Sequence, residues 1–220
     1  NRTLPLIRSR PVSAGELAVG SLLGAIALFS TLVLGTAVVA VVGLGLIGHD
    51  WVNGAQIVKL LLTYGASIVY MTVFYCLGAV TTARSRVAAN GLMIALGIWL
   101  VVVLILPQIG DTLDADNQVP GGLFSSLGLS KPQEDQILTH FTTYESVRTA
   151  IEATSFSKHY ERFVFAMTDV KEKYRGLSLS QLLSIKRIEI EWMFVWSIAI
   201  ATLLWRTFRR QPTVPQGGQS

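Results

Sequence analysis

Two carboxylates, Glu189 and Glu191, stand at the start of an apolar run that continues through Trp205. Ionisable groups at membrane depth are costly to bury and tend to serve ion or substrate movement. Both are therefore candidate functional carboxylates at a membrane boundary, with plain interfacial solvation as the competing reading. His49, His140 and His159 share no ligand spacing with one another or with Cys76, so no zinc site is expected. Gly43-Leu-Gly45-Leu-Ile-Gly48 has the spacing of a dinucleotide-binding turn. It closes a long apolar run, however, and no amphipathic helix or correctly spaced acidic residue follows, so it reads as a flexible or kinked span end. No nucleophile and base fall together, and no GxxxxGK[ST] phosphate loop occurs. The chain is expected to hold no catalytic residue, cofactor or metal of its own.

The elements that carry these residues are apolar to a degree that soluble chains do not reach. Hydrophobic residues make up 51% of the 220, charged residues 15%, and the mean hydropathy is +0.50; soluble chains carry about 25% charged residues. The expected first span, Val19 to Ile47, follows Pro11 and a capping box, Ser13-Ala-Gly-Glu16. The second runs from Ile57 to Val80, with Lys59 snorkelling to the interface. The third runs from Val87 to Leu106 and stops at Pro107. The last, Trp192 to Trp205, must draw in Ile188, Ile190 and Phe208 to reach about 30 Å. Gly20-xxx-Gly24 and Gly91-xxx-Ala95 mark places where spans could touch.

Arg2, Arg8 and Arg10 precede the first span, Arg84 and Arg86 follow the second, and Arg206, Arg209 and Arg210 follow the last. The loop from His49 to Gly54 has no lysine or arginine. By the positive-inside rule both visible ends face the cytoplasm. The basic residues flank the apolar runs instead of forming a stripe, which argues against nucleic acid. The single cysteine, Cys76, allows no intrachain disulfide and reads as a packing residue. Residues 107–187 then form an outer region. Gly110 to Pro132 has loop composition. Beyond it, Ile137, Phe141, Tyr144, Val147 and Ile151 recur at helical spacing, as do Tyr160, Phe163, Val164, Met167 and Val170. Two or three amphipathic helices outside the membrane follow, which could pack on the spans, bind a partner or lie on lipid.

The segment from Thr3 to Gly24 resembles the cytoplasmic stretch of type-2 ABC exporter permeases. Arg10-Pro-Val-Ser13, Glu16, Gly20 and Gly24 match the family pattern, while Ser21 stands where lysine is usual and Arg2 where glycine is common. The layout is most similar to the membrane subunits of multicopper-enzyme maturation, including nitrous oxide reductase assembly. This resemblance implies an all-α polytopic protein whose four visible spans are the third to sixth of six. The start at Asn1 within a basic segment fits a chain that continues upstream. The implied divisions are a cytoplasmic coupling segment (1–18), three spans (19–106), an extracytoplasmic region (107–187), the last span (188–208) and a cytoplasmic tail (209–220). The implied partners are a second permease copy in a homodimer, cytosolic ATPase subunits that bind ATP and Mg, and the lipid of the cytoplasmic membrane. Arg8, Arg10, Pro11, Ser13 and Glu16 would lie at the ATPase contact. The function expected is export; the alternative is a non-transporting anchor or assembly factor that meets an outer partner protein through its outer helices.

Overall fold

In a bilayer every backbone N–H and C=O has to be satisfied inside its own segment, because no water is present to bond it. A computed structural model, which describes residues 14–48, 53–113, 123–171 and 174–209, meets this with helices, and no strand occurs among the described residues. Among the described residues, four helices are long and apolar enough to cross a membrane. The chain is thus an all-α, multi-pass membrane protein, with the number of spans expected from its apolar runs.

The first helix, α1 (Ala14–Gly48), is apolar all round. Leu23, Leu34, Val39 and Ile47 are each more than half exposed, the apolar surface expected of a helix in a bilayer. The helix includes Gly43 and Gly45 and has Gly48 as its last residue, so the glycine pattern lies within a helix, not in a turn that precedes one. The second, α2 (Gly54–Arg84), begins with a capping box in which Asn53 accepts from the Gln56 amide and the Gln56 side chain accepts from that of Asn53.

The third span is the least regular. It starts as α3 (Ala88–Leu100), widens into a π segment, π1 (Val101–Ile105), and continues as α4 (Leu106–Leu113). Pro107 therefore does not end the span, and the helix runs into the stretch expected to be loop. Proline removes one backbone donor and crowds the preceding turn. The π segment absorbs the crowding: the Leu106 amide bonds back five residues to the Val101 carbonyl. In that register the missing Pro107 donor would have met the Val102 carbonyl, which instead accepts a bond from the Ser155 hydroxyl at 3.4 Å.

After the third span come α5 (Leu123–Ser126), α6 (Lys131–Leu138), a 3₁₀ turn (Thr139–Phe141), α7 (Thr142–Thr154), α8 (Phe156–Met167) and α9 (Leu179–Ile185). Much of the expected 110–132 loop is thus helical or lies outside the described residues. The last span is α10 (Arg187–Arg209). At one end of the bundle the Arg84 guanidinium donates to the Thr207 hydroxyl at 3.2 Å, which aligns the arginine ends of α2 and α10.

Of the outer helices, α8 packs on the spans, one of the three placements that the sequence leaves open. Phe156, Phe163, Ala166 and Met167 of α8 share one buried cluster with Ala66 and Val73 of α2, Leu182 of α9 and Met193 of α10. Ile137 and Val147, from the other expected helical face, are exposed and make no such packing. The second small-residue pair is used and the first is not. Gly91 and Ala95 are buried against α2, whereas nothing lies within 4 Å of where a Cβ would stand on Gly20 or Gly24. At Gly91 a Cβ would come within 2.4 Å of the Thr82 Cα. Replacing Gly91 by alanine should therefore lower stability by about 1–3 kcal/mol through overpacking, even though alanine is the better helix former. Gly20→Ala should be neutral or mildly stabilising in the same thermal unfolding assay.

Candidate functional site

A stripe of polar residues, Lys59, Thr63, Ser67 and Tyr70, runs along one face of α2 at steps of four, four and three. That spacing places all of them on one side of a helix. Thr63 and Ser67 return their hydroxyl protons to the carbonyls one turn back, Lys59 and Thr63 respectively. The stripe faces α8. The Lys59 ammonium donates to both Asp169 carboxylate oxygens at 2.9 and 2.8 Å. The Ser67 and Tyr160 hydroxyls share a bond of 2.8 Å, and those of Tyr70 and Ser157 one of 3.1 Å. The order of these contacts makes α8 antiparallel to α2.

Three independent counts give the depth of the α8 tip. Tyr70 lies fourteen residues from Arg84, Trp192 fourteen from Arg206, and Val102 fourteen from Ala88, just beyond Arg86. Each is about 21 Å from the arginine end at 1.5 Å per residue. Tyr70 stacks on Phe156 and Tyr160, Trp192 stacks on His159 at 5.7 Å, and Val102 accepts from Ser155. Residues 155–160 thus meet α2, π1 and α10 at one height along the bundle, about 21 Å from its arginine end.

Each end of α8 has a local cause. At its start Ser155, fully buried, is the N-cap and accepts from the Lys158 amide. At its end the Val170 amide reaches back to the Phe165 carbonyl at 3.3 Å, which places Asp169 at the left-handed position where helices usually have glycine. Asp169 adopts φ of 52°, a conformation that aspartate tolerates better than most residues. Lys59 holds it there. Lys59 is therefore buried in an ion pair with a residue 110 positions further along the chain.

A second charged group surrounds the turn between α7 and α8. Glu152, 5% exposed, pairs with Arg162 of α8 and with Arg148 at 3.4 Å within α7. Its side chain packs beside Gly110 of α4, where a Cβ would lie 3.2 Å from it. His159 donates from Nε2 to the Ala153 carbonyl at 2.9 Å, and its Nδ1 is buried with no hydrogen-bond partner. No group of three His, Cys, Asp or Glu that could hold a metal occurs among the described residues. The arrangement fixes the two ends of α8 through polar contacts to α2, α7 and π1.

The two carboxylates singled out in the sequence separate. Glu189 turns inward to Lys186 at 2.9 Å, and the Lys186 ammonium lies 5.2 Å over the Tyr174 ring. Glu191 pairs with Arg187 at 2.6 Å, with both side chains more than half exposed. Two residues apart on a helix they point about 200° away from each other, so they do not form one site. Glu16 lies in the first turn of α1. Arg8, Arg10, Pro11 and Ser13 lie outside the described residues, as does His49.

Comparison with protein-family models gives no match, and comparison with curated proteins gives none either.

The Lys59–Asp169 pair is testable by a double-mutant cycle. Lys59→Met alone strands a carboxylate that is about two-thirds buried and should cost about 2 kcal/mol, below the 3–5 kcal/mol typical of a fully buried pair. Asp169→Asn keeps a residue that tolerates the backbone conformation. The two changes together should cost less than their sum by about 1 kcal/mol or more, read from unfolding in a mild detergent. Additive losses would show that the two charges are not coupled.

Proposed function

We propose that the chain is the membrane-spanning subunit of an ATP-binding cassette exporter of the type-2 permease kind, driven by ATP hydrolysed on separate cytosolic subunits. The observation that carries this reading is the position of α8. It is packed among three spans yet is held at its flanks by polar contacts that can be exchanged one at a time. Hydrogen bonds between membrane helices average about 0.6 kcal/mol each, so a seam of two such bonds and one ion pair can be opened by the differential binding energy of a partner. A fully apolar contact would offer no such discrete alternative. The resemblance of the Thr3 to Gly24 segment to the family supports the same reading.

By the distribution of lysine and arginine, both visible ends face the cytoplasm of a cell membrane. The Lys59–Asp169 end of α8 then faces the outer surface, and the segment with Arg8, Arg10, Pro11, Ser13 and Glu16 meets the ATPase. A second permease copy would complete the assembly. Closure of the ATPase pair would move α1 through its first turn and bias the spans against α8.

A second reading, an anchor or assembly factor without transport, draws on the exposed apolar residues Leu127, Ile137 and Val147 in the outer helices. The two readings predict opposite results. Purification in mild detergent should recover a subunit with a phosphate-binding GxxxxGK[ST] loop, and Arg8→Glu with Arg10→Glu should reduce ATP-coupled transport at least tenfold. Removal of residues 131–154 should have the smaller effect. Loss of function on that removal, with the arginine changes silent and no ATPase recovered, would favour the anchor.

A further inference from the structure

The two ends of the bundle treat their charges differently. Leu22 of α1 packs with Val80 of α2 and Leu204 of α10, and Phe29 meets Tyr75, so α1 runs antiparallel to α2 and starts at the arginine end. Arg84, Arg86, Arg206 and Arg209 lie at that end, all exposed. Against them stands one acidic residue among the described residues, Glu16 in the first turn of α1. Among the described residues none of the four arginines is in an ion pair. At the opposite end Lys59, Lys186 and Arg187 are each paired with a carboxylate. One end is thus neutralised from within the chain, and the other is left to its surroundings.

We infer that the arginine end binds the phosphate headgroup of an anionic phospholipid, with Arg84 as its fixed donor and Arg86, Arg206 and Arg209 as the charges around it. The Thr207 hydroxyl gives its own proton to the Leu203 carbonyl at 2.8 Å, so towards Arg84 it can only accept. The Arg84 Nε fills that place at 3.2 Å and fixes the direction of the guanidinium. Its two terminal nitrogens, with four of the five N–H donors of an arginine, have no partner among the described residues. They form the planar fork that matches two phosphate oxygens. The neighbouring residues decide between a lipid and an acidic protein. Val87 follows Arg86 and Trp205 precedes Arg206, and each is more than half exposed. Tryptophan is favoured at headgroup height, where its ring meets hydrocarbon and its edge meets water. A phospholipid supplies both partners at once, phosphate for the guanidinium and hydrocarbon for the indole and the valine. Each arginine near an anionic bilayer surface strengthens association about fivefold. The inference holds whether the protein transports or anchors.

The test uses the full-length protein in phosphatidylcholine nanodiscs that include a small share of a photoactivatable lipid, either phosphatidylglycerol or phosphatidylcholine, each with a diazirine at the glycerol end of one acyl chain. Both leaflets then have the same composition, so the opposite end of the bundle serves as the reference. Label from the anionic probe should exceed that from the zwitterionic one at least fivefold in peptides covering 84–92 and 203–209, and the two should be equal at 54–61 and 187–193. Salt at about 1 M, which screens charges beyond about 3 Å, should remove most of the excess, whereas millimolar inorganic phosphate should not. Arg84→Gln with Arg86→Gln should cut the excess at least threefold in the 203–209 peptide, on the other helix. Arg206→Gln with Arg209→Gln should do the same in the 84–92 peptide, so that a folding defect in either pair does not decide the matter. Equal labelling by the two probes at the arginine end would leave these arginines to an acidic protein surface. An excess that neither pair lowers on the other helix would mean general attraction to a basic membrane face. Either result overturns the inference.

Discussion

A lysine and an aspartate that meet at the edge of an apolar core can each be accommodated only through the other. Lys59 lies in the second turn of α2, buried against the end of α8, where an unpaired ammonium would carry a desolvation penalty of several kcal/mol. Asp169 sits in a left-handed conformation that few non-glycine residues adopt. Their contact neutralises the charges, ends α8 and sets its height against α2 in one step. With that height set, Tyr160 falls opposite Ser67 and Ser157 opposite Tyr70. The aromatic rings of Tyr70, Phe156 and Tyr160 then stack.

The far end of α8 depends on a defect in another span. Pro107 leaves a carbonyl without a donor, and the π segment aims that vacancy at the start of α8, where Ser155 supplies a proton. An unsatisfied carbonyl in hydrocarbon costs several kcal/mol. The serine bond, though long, thus ties the irregular span to α8. Ser155 also caps α8, so one hydroxyl serves two backbone groups on different elements.

The spans were legible because a run of about twenty apolar residues has few other structural outcomes. The place of α8 was legible only as one of three alternatives. An amphipathic period reports that one face is buried but not what buries it, and Phe163 and Met167 would recur identically in a helix lying on a membrane surface. Two signals were present and could have been read. Lys59, Thr63, Ser67 and Tyr70 share one face of an apolar span, which requires a polar neighbour. Glu189 and Glu191, two residues apart on a helix, cannot face the same way. Pro107 misled for a different reason: its effect on the chain depends on whether neighbouring groups can supply the lost bond, and Ser155 lies far along the sequence.

The resulting bundle is uneven in strength along its axis. Near the arginine end α2 and α3 approach so closely that Gly91 admits no side chain, and Arg84 bonds across to α10. Backbone-to-backbone contact of this kind has no second arrangement of comparable energy, since any shift opens a void or a clash. At the opposite end the same α2 meets α8 through a mixed seam, in which hydroxyls, rings and one ion pair surround the buried apolar residues Phe156, Phe163, Ala166 and Met167. The two ends of α2 therefore differ in kind: close backbone packing at one, long side chains with specific polar partners at the other.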